Sequence, residues 1–544
     1  MSLIADANEA AARIAAQVTE HNCMVLTLQQ CRINANFLAT LTPALRHLRS
    51  LVLTENPLGV KGAHVLAAYL HTNPTGPLLH LAVDRCRLGV QGVIVLAKGL
   101  TTNTSLCVLN VGQNNIRARG LQALVKMLQT NRTLQDLDIH ANRITGRALA
   151  QLLHVLVRHP RLRKLNCSEN RLGYVGLVAL LPALPWLHEL NLTKCNFTPP
   201  HTAMLAHALT QQSFCGLGLN STLLNTEHGR PRALHHLYLN VTMDFNPPTL
   251  SPWLMPSLHS LNLTVVNSAQ AVAIVHLLQR NTAVDYLKLH SPTALDDTVG
   301  LALATLLTVN THLRRLLVLN TEFTDVTATA LALALQHPTH LTMLQICEHN
   351  MAPTGLMRIL AALHHNTTLT LLEVSGQPNS WMDMDHDETI PLLQAVIALI
   401  ATNTTLRDVY FKLIFWMEDD FEAEKVRLVA ALQHNTSLVR LDVLDEECIF
   451  HSGDDTILML EADSYIQRNL RRYHRQAWSP PHHLQFDFPM CQWVWTLLCL
   501  PYRSPLWALL PNELIYMIAG HLCHGDVYYY PHYAILPSHC QYCD

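Results

Sequence analysis

The chain has 544 residues, of which 49% are hydrophobic and 14% charged, with a formal net charge of −3. A large continuous core can be built from such a composition. The near-balanced charge gives no footprint for nucleic acid, so no nucleic-acid partner is expected. The 33 histidines are scattered rather than clustered and read as compositional bias, with a slightly more positive surface at acid pH.

At the N-terminus, Asp6, Glu9 and Arg13 stand among alanines with no basic segment followed by an apolar run. That pattern predicts an amphipathic capping helix over residues 1–22 rather than a signal peptide. A repeated sentence follows. Leu48, Leu51, Leu53, Asn56 and Leu58 recur as Leu78, Leu81, Val83, Cys86 and Leu88, then as Leu106, Leu109, Val111, Asn114 and Ile116. Two more copies are Leu134, Leu137, Ile139, Asn142 and Ile144, and Leu162, Leu165, Cys167, Asn170 and Leu172. From Leu78 onward the step is 28 residues. The pattern L-x-x-L-x-L-x-x-N/C-x-L resembles the leucine-rich repeat family in its long, ribonuclease-inhibitor-like form. The resemblance implies an α/β horseshoe with a concave parallel sheet and convex helices, and a binding function rather than catalysis.

Within one copy, Leu109 and Val111 alternate as in a strand, and the Asn114 amide is suited to satisfying backbone groups in the turn. Leu121, Leu124 and Leu128 have helical spacing. Gly62, Gly92, Gly120, Gly146 and Gly176 are expected to open the helices. Cys31, Cys86, Cys167 and Cys195 fall on the small buried consensus position, so they read as reduced core thiols. The sequons at Asn103, Asn131, Asn366, Asn403 and Asn435 sit in the turn before a strand and belong to the repeat itself. A cytoplasmic protein is expected.

Leu187, Leu190, Leu192, Cys195 and Phe197 form a further copy after a short helix containing Pro182 and Pro185. From Phe214 to Val266 the pattern degenerates, keeping strand cores at Leu217/Leu219, Leu237/Leu239 and Leu261/Leu263. Pro199, Pro200, Pro231, Pro247, Pro248, Pro252 and Pro256 crowd this part of the chain, where loops or 3₁₀ turns are expected in place of helices. Regular strands resume at Leu287/Leu289, Leu316/Val318, Leu344/Ile346, Leu372/Val374, Val409/Phe411 and Leu441/Val443. With Leu26/Leu28 at the start, the array of roughly sixteen repeats fills residues 23–454. The copy from Leu369 to Leu406 is lengthened to 37 residues by an acidic insertion, Trp381 to Glu388. The next carries Trp416, Glu418, Asp419, Asp420 and Glu422. Both insertions suit a basic partner, or read as solvated loops.

A protein partner is expected on the concave face, at Asp136, Asp138, His140, Lys164, Asn166, Glu169 and Glu189. The chain has no G-x-x-x-x-G-K-[ST], H-E-x-x-H or G-x-S-x-G motif, and no catalytic residue is assigned. Arg85 and Arg117 stand where leucine-rich GTPase activators of the Ran type carry an arginine, but the long acidic tail of that family is missing.

Residues 455–502 read as a second capping helix and an aromatic, Pro-rich linker; its apolar run Trp493–Leu500 is too short to span a membrane, and no membrane partner is expected. Residues 503–544 contain Leu510, Pro511, Leu514, Ile518 and Leu522. The sequence Leu510-Pro511-Asn512-Glu513-Leu514, followed by an apolar stripe, resembles the opening of an F-box. That resemblance implies a contact with the Skp-type adaptor of cullin ubiquitin ligases; the third helix of the family is absent, and a simple capping helix accounts for the same residues. Cys523, His524, Cys540 and Cys543 are the only weak candidates for zinc ligands. One C-x-x-C pair does not define a site, so no metal or cofactor is expected. The functional expectation is a protein-recognition scaffold serving a ubiquitin ligase. The alternatives are a plain leucine-rich scaffold or inhibitor and, third, a Ran-type GTPase activator.

Overall fold

The computed structural model describes residues 10–16, 18–19, 24–224, 230–337, 339–376, 386–413, 422–444, 465–466 and 468–469. Two compact units divide the repeats after Asn240. In the first, the strands are β1 (Val25–Thr27), β2 (Ser50–Val52), β3 (His80–Ala82), β4 (Val108–Asn110), β5 (Asp136–Asp138), β6 (Lys164–Asn166), β7 (Glu189–Asn191), β8 (Ser213–Asn220) and β9 (Ala233–Asn240). They pair in parallel and in chain order, with Leu26, Leu51, Leu81, Leu109, Leu137, Leu165, Leu190, Leu217 and Leu237 in register. Each of these leucines is at most 3% exposed. A buried leucine contributes about 2 kcal/mol of transfer free energy, so a register slip would expose a whole column of them.

Between the strands run α1 (Ala35–Leu41), α2 (Gly59–Thr72), α3 (Gly89–Leu100), α4 (Arg117–Thr130), α5 (Gly146–Leu156), α6 (Gly173–Leu180) and α7 (Pro199–Leu209). Their apolar stripes cover one face of the sheet: Leu121, Leu124 and Leu128 of α4 are fully buried. The glycines do not all open helices as expected. Gly146 does, but Gly62, Gly92, Gly120 and Gly176 occupy the fourth position, one turn in from Gly59, Gly89, Arg117 and Gly173. A side chain at Gly62 would meet the Leu58 Cβ at 2.7 Å, which explains the preference there.

Pro199 and Pro200 begin a helix rather than a loop. Proline tolerates the first helical turn because the missing N–H has no partner there in any case. The expected 3₁₀ turns are present at Ser221–Leu223 and, in the second unit, at Pro247–Trp253.

The second unit holds β10 (Ser260–Thr264), β11 (Tyr286–Leu295), β12 (Arg315–Thr321), β13 (Met343–His349), β14 (Leu371–Gly376), β15 (Asp408–Leu413) and β16 (Arg440–Leu444), again parallel and sequential. Its helices are α8 (Ser268–Leu278), α9 (Asp297–Val309), α10 (Asp325–Leu335), α11 (Pro353–Leu363), α12 (His386–Thr402) and α13 (Glu422–His434). Acidic residues staple successive repeats here. Asp297 accepts hydrogen bonds from Thr324 N (2.9 Å) and Thr324 Oγ1 (2.6 Å) at the start of α10. Asp325 likewise accepts from Ala352 N (2.8 Å) and Thr354 Oγ1 (2.6 Å) at the start of α11.

Two kinds of buried-amide column tie the turns together. In the first, Asn142 donates to Val111 O, Ile139 O and His140 O and accepts from Asn114 N and Ile116 N. Asn114 and Asn170 do the same in their own repeats, and Asn56 donates to Leu28 O, Leu53 O and Thr54 O and accepts from Ile33 N. Where cysteine replaces asparagine, the thiol still donates: Cys86 Sγ lies 2.9 Å from Leu53 O, and Cys195 Sγ 3.3 Å from Cys167 O. Burial pushes the Cys86 thiol up to about 12, so it stays a neutral donor. Cys86, Cys167 and Cys195 are buried thiols, and Cys31 is half-buried.

The second kind of column holds the sequon residues, Asn103 and Asn131 in the first unit and Asn366, Asn403 and Asn435 in the second, none more than 8% exposed. Asn131 Nδ2 donates to Leu100 O and Asn103 O while its Oδ1 accepts from Leu134 N. The nitrogen a glycan would need is therefore committed to the fold. His159 takes the equivalent place in the next repeat, linking Asn131 O to Leu162 N.

Candidate partner-binding face

Strand side chains that alternate with the core leucines lie on the sheet face opposite the helices. On the first unit this face is polar and already bonded. Asp138 Oδ1 accepts from His140 N at 2.9 Å and faces His140 Nδ1 at 2.7 Å, while its Oδ2 accepts from Asn166 Nδ2 at 2.9 Å. Lys164 Nζ pairs with Glu189 at 2.6 Å across β6 and β7. Asp136 stands one register step from Lys164. Glu169 is not a strand residue: it lies in the turn beyond β6, with φ +56°, and meets Lys194 at 3.3 Å.

Apart from Arg85, the network extends through residues that reading along one repeat does not single out. Gln30 donates to Glu55 (2.6 Å), Arg85 bridges Glu55 (2.7 Å) and Gln113 (2.6 Å), and Gln113 Nε2 lies 3.2 Å from His140 Nε2. Asp84 accepts from Thr54 and Asn110. These residues share columns with the predicted ones, Asp84 with His140 and Asn110 with Asp138, so comparing copies vertically would have found them. Burial disfavours the charged form of His140, but the hydrogen bond and charge of Asp138 outweigh it and raise its pKa. Gly112 makes room for the ring, since a Cβ there would overlap the imidazole. Arg117 stands apart, its Nε 3.3 Å from Asn115.

The same face of the second unit is different in chemistry. Tyr286, Leu317, Leu319 and Cys347 form a buried apolar cluster. Arg315 lies over the Tyr286 ring at 4.9 Å and pairs with Asp285 at 2.7 Å. Burial pushes Lys288 down to about 8, and Gln345 donates to Glu373 at 2.5 Å. No motif marks this change; only the strand register brings these side chains together.

Leu510, Pro511, Leu514, Ile518 and Leu522 lie outside the described residues, as do Cys523, His524, Cys540 and Cys543 and the insertion residues Trp381–Asp385 and Trp416–Asp420. His386, Asp387, Glu388 and Glu422, expected in the insertions, begin helices α12 and α13. Among the described residues no group of three or more His, Cys, Asp and Glu could hold a metal ion. No helix among them is long and apolar enough to cross a membrane.

An in-register parallel sheet, helices on its other face and a turn amide in each regular copy define a leucine-rich repeat solenoid of the α/β type. A family model described as leucine-rich repeat matches residues 44–67 and 102–125. The chain thus carries leucine-rich repeats, an architecture of protein interaction that is generally non-enzymatic. No curated protein matches it. Similar solved structures include a Rad7 and Elc1 complex in yeast, 16% identical, with a TM-score of 0.41, covering 76% of this chain and 89% of that one. Another is actin-binding site 2 of leiomodin-1, 14% identical, with a TM-score of 0.19, covering 43% of this chain and 94% of that one.

Proposed function

We propose that this protein is a recognition scaffold: it captures a protein partner on the strand face of its first unit and recruits a Skp-type ubiquitin-ligase adaptor through Leu510–Leu522. The observation that carries the first half is the bonded row Gln30–Glu55–Arg85–Gln113–His140–Asp138–Asn166, which spans repeats without serving the core. A network whose rotamers are held by mutual hydrogen bonds offers a partner fixed donors and acceptors at little ordering cost. The second half rests on the F-box-like residues Leu510, Pro511, Leu514, Ile518 and Leu522.

One experiment separates the halves. Affinity purification with quantitative mass spectrometry compares wild type with Arg85→Ala/Gln113→Ala and with Leu510→Ala/Pro511→Ala. The strand-face variant is expected to lose the captured partner and keep the adaptor, and the tail variant to do the reverse. If the adaptor is absent from every sample, the protein is a scaffold or inhibitor without a ubiquitin link. An unchanged partner set in the strand-face variant would remove the first half as well.

A further inference from the structure

The small net charge conceals a division along the chain. Residues 1–240 contain 22 Lys and Arg against 10 Asp and Glu, whereas residues 241–544 contain 15 against 30. Within the first unit the charges divide again, by side. Helices α1 to α7 contain no Asp or Glu. The acids of residues 24–224 are Glu55, Asp84, Asp136, Asp138, Glu169 and Glu189, all in strands or the turns just after them.

Between these zones runs an edge, the turn that leads from each strand into its helix. Arg32, Arg87, Arg143 and Arg171 occupy one consensus position there, immediately after the consensus Asn or Cys, and all are exposed. Neighbouring turns are hydrogen-bonded, Gly59 N to Cys86 O at 3.0 Å, Gly89 N to Asn114 O at 3.0 Å and Arg117 N to Asn142 O at 3.0 Å. The position therefore advances by roughly 5 Å per repeat, with Arg32, Arg87 and Arg143 two repeats apart and Arg171 in the repeat after Arg143. None of the four has an ion-pair partner among the described residues.

The backbone does not ask for arginine at this position. Arg32, Arg87 and Arg143 have φ of +52°, +54° and +57°, and asparagine, which tolerates that region better, takes the position in Asn115 (+57°) and Asn196 (+58°). Arg147 adds a cation in the first turn of α5, where the helix dipole disfavours it. Local stability thus argues against these cations, and a binding role argues for them. Beside the row, the first turns of α2 and α6 expose Val60 (39%), Tyr174 (56%) and Val175 (48%).

We propose that this edge of the first unit docks an acidic segment of a protein partner, with aromatic or aliphatic side chains set among its carboxylates. The guanidinium forks take the carboxylates in paired hydrogen bonds. The apolar side chains of the segment cover Val60, Tyr174 and Val175, which a phosphate backbone would leave exposed. This edge adjoins the strand-face network, since Arg32 and Arg87 stand two residues beyond Gln30 and Arg85 in the same turns.

The test uses the full chain and fluorescence anisotropy with three probes: a labelled peptide of alternating glutamate and phenylalanine, a single-stranded oligonucleotide, and phosphatidylserine vesicles. The peptide is expected to bind most tightly and to weaken as salt is raised. Arg87→Glu/Arg143→Glu/Arg171→Glu is expected to lower its affinity by about 100-fold or more, and the corresponding Arg→Gln variant by a smaller factor. Lys98→Glu/Lys126→Glu, basic changes off the row, is expected to leave binding within about two-fold. Circular dichroism checks that every variant is folded. An unchanged affinity in both arginine variants, an equal loss in the lysine control, or tighter binding of the oligonucleotide or the vesicles would overturn the proposal.

Discussion

At Asn142 five hydrogen bonds converge on one amide that is fully buried. Removing it strands two N–H groups and three carbonyls in the core. Asn142→Ala is expected to cost about 3 kcal/mol or more, read as a fall in the urea midpoint. Asn142→Cys should cost about half as much, because a thiol restores a donor but accepts little; equal losses for the two would show that the donor is not what counts. His349 gives a pH dependence. Burial pushes its pKa down to about 3, against 6.5 when unfolded. The native state therefore holds it neutral, so its contribution is full above about pH 6.5 and is lost as the pH falls toward 3. The loss amounts to about 3 kcal/mol by pH 4. His349→Gln should flatten the stability profile between pH 6.5 and 4, as followed by guanidinium titration; an unaltered slope would rule the residue out as the source.

Element geometry depends on close backbone approach as much as on periodicity. A Cβ at Gly99 of α3 would stand 2.5 Å from Ala67 O and 2.6 Å from Ala67 Cα in α2, so the two helices would have to separate. Gly89, at φ +62°, has nothing within 4 Å, and a side chain there meets only backbone strain. Gly89→Ala is expected to cost about 1 kcal/mol and Gly99→Ala about 3 kcal/mol, with the larger drop in melting temperature for Gly99→Ala; the reverse order would contradict the packing. The helices themselves were readable from spacing, as Leu121, Leu124 and Leu128 show. Their starting points were less so. Gly62 looks like a helix opener because it recurs, yet it recurs for contact with Leu58 inside the first turn. Pro199 and Pro200 look like helix breakers, yet at the first positions they break nothing.

Across the whole chain, stability is built from neighbour contacts, and each repeat satisfies the turn before it. The described residues at the end of the array keep to that rule. Asn469 Nδ2 donates to Asn435 O (2.8 Å) and Leu438 O (3.0 Å), and Arg468 bonds the carbonyls of Leu432, Gln433 and Asn435 at the end of α13. The asparagine column thus outlasts the leucine pattern. Charge behaves differently, since it is free to vary wherever the core does not constrain it. That is why whole-chain balance gave no sign of the cationic first unit, and why the arginine row becomes visible only when copies are compared position by position.

The repeat, its length and its buried columns were determined by the sequence alone, because a solenoid core forms between adjacent copies and every copy carries the same periodic signal. Leu109, Asn114 and Cys86 stand in the structure where the consensus puts them. Only the tertiary structure decided which polar residues work together. Arg85, Gln113, His140 and Asp138 come from three repeats and meet because parallel pairing sets equivalent positions side by side, a distance of 28 residues along the chain but one strand across the sheet.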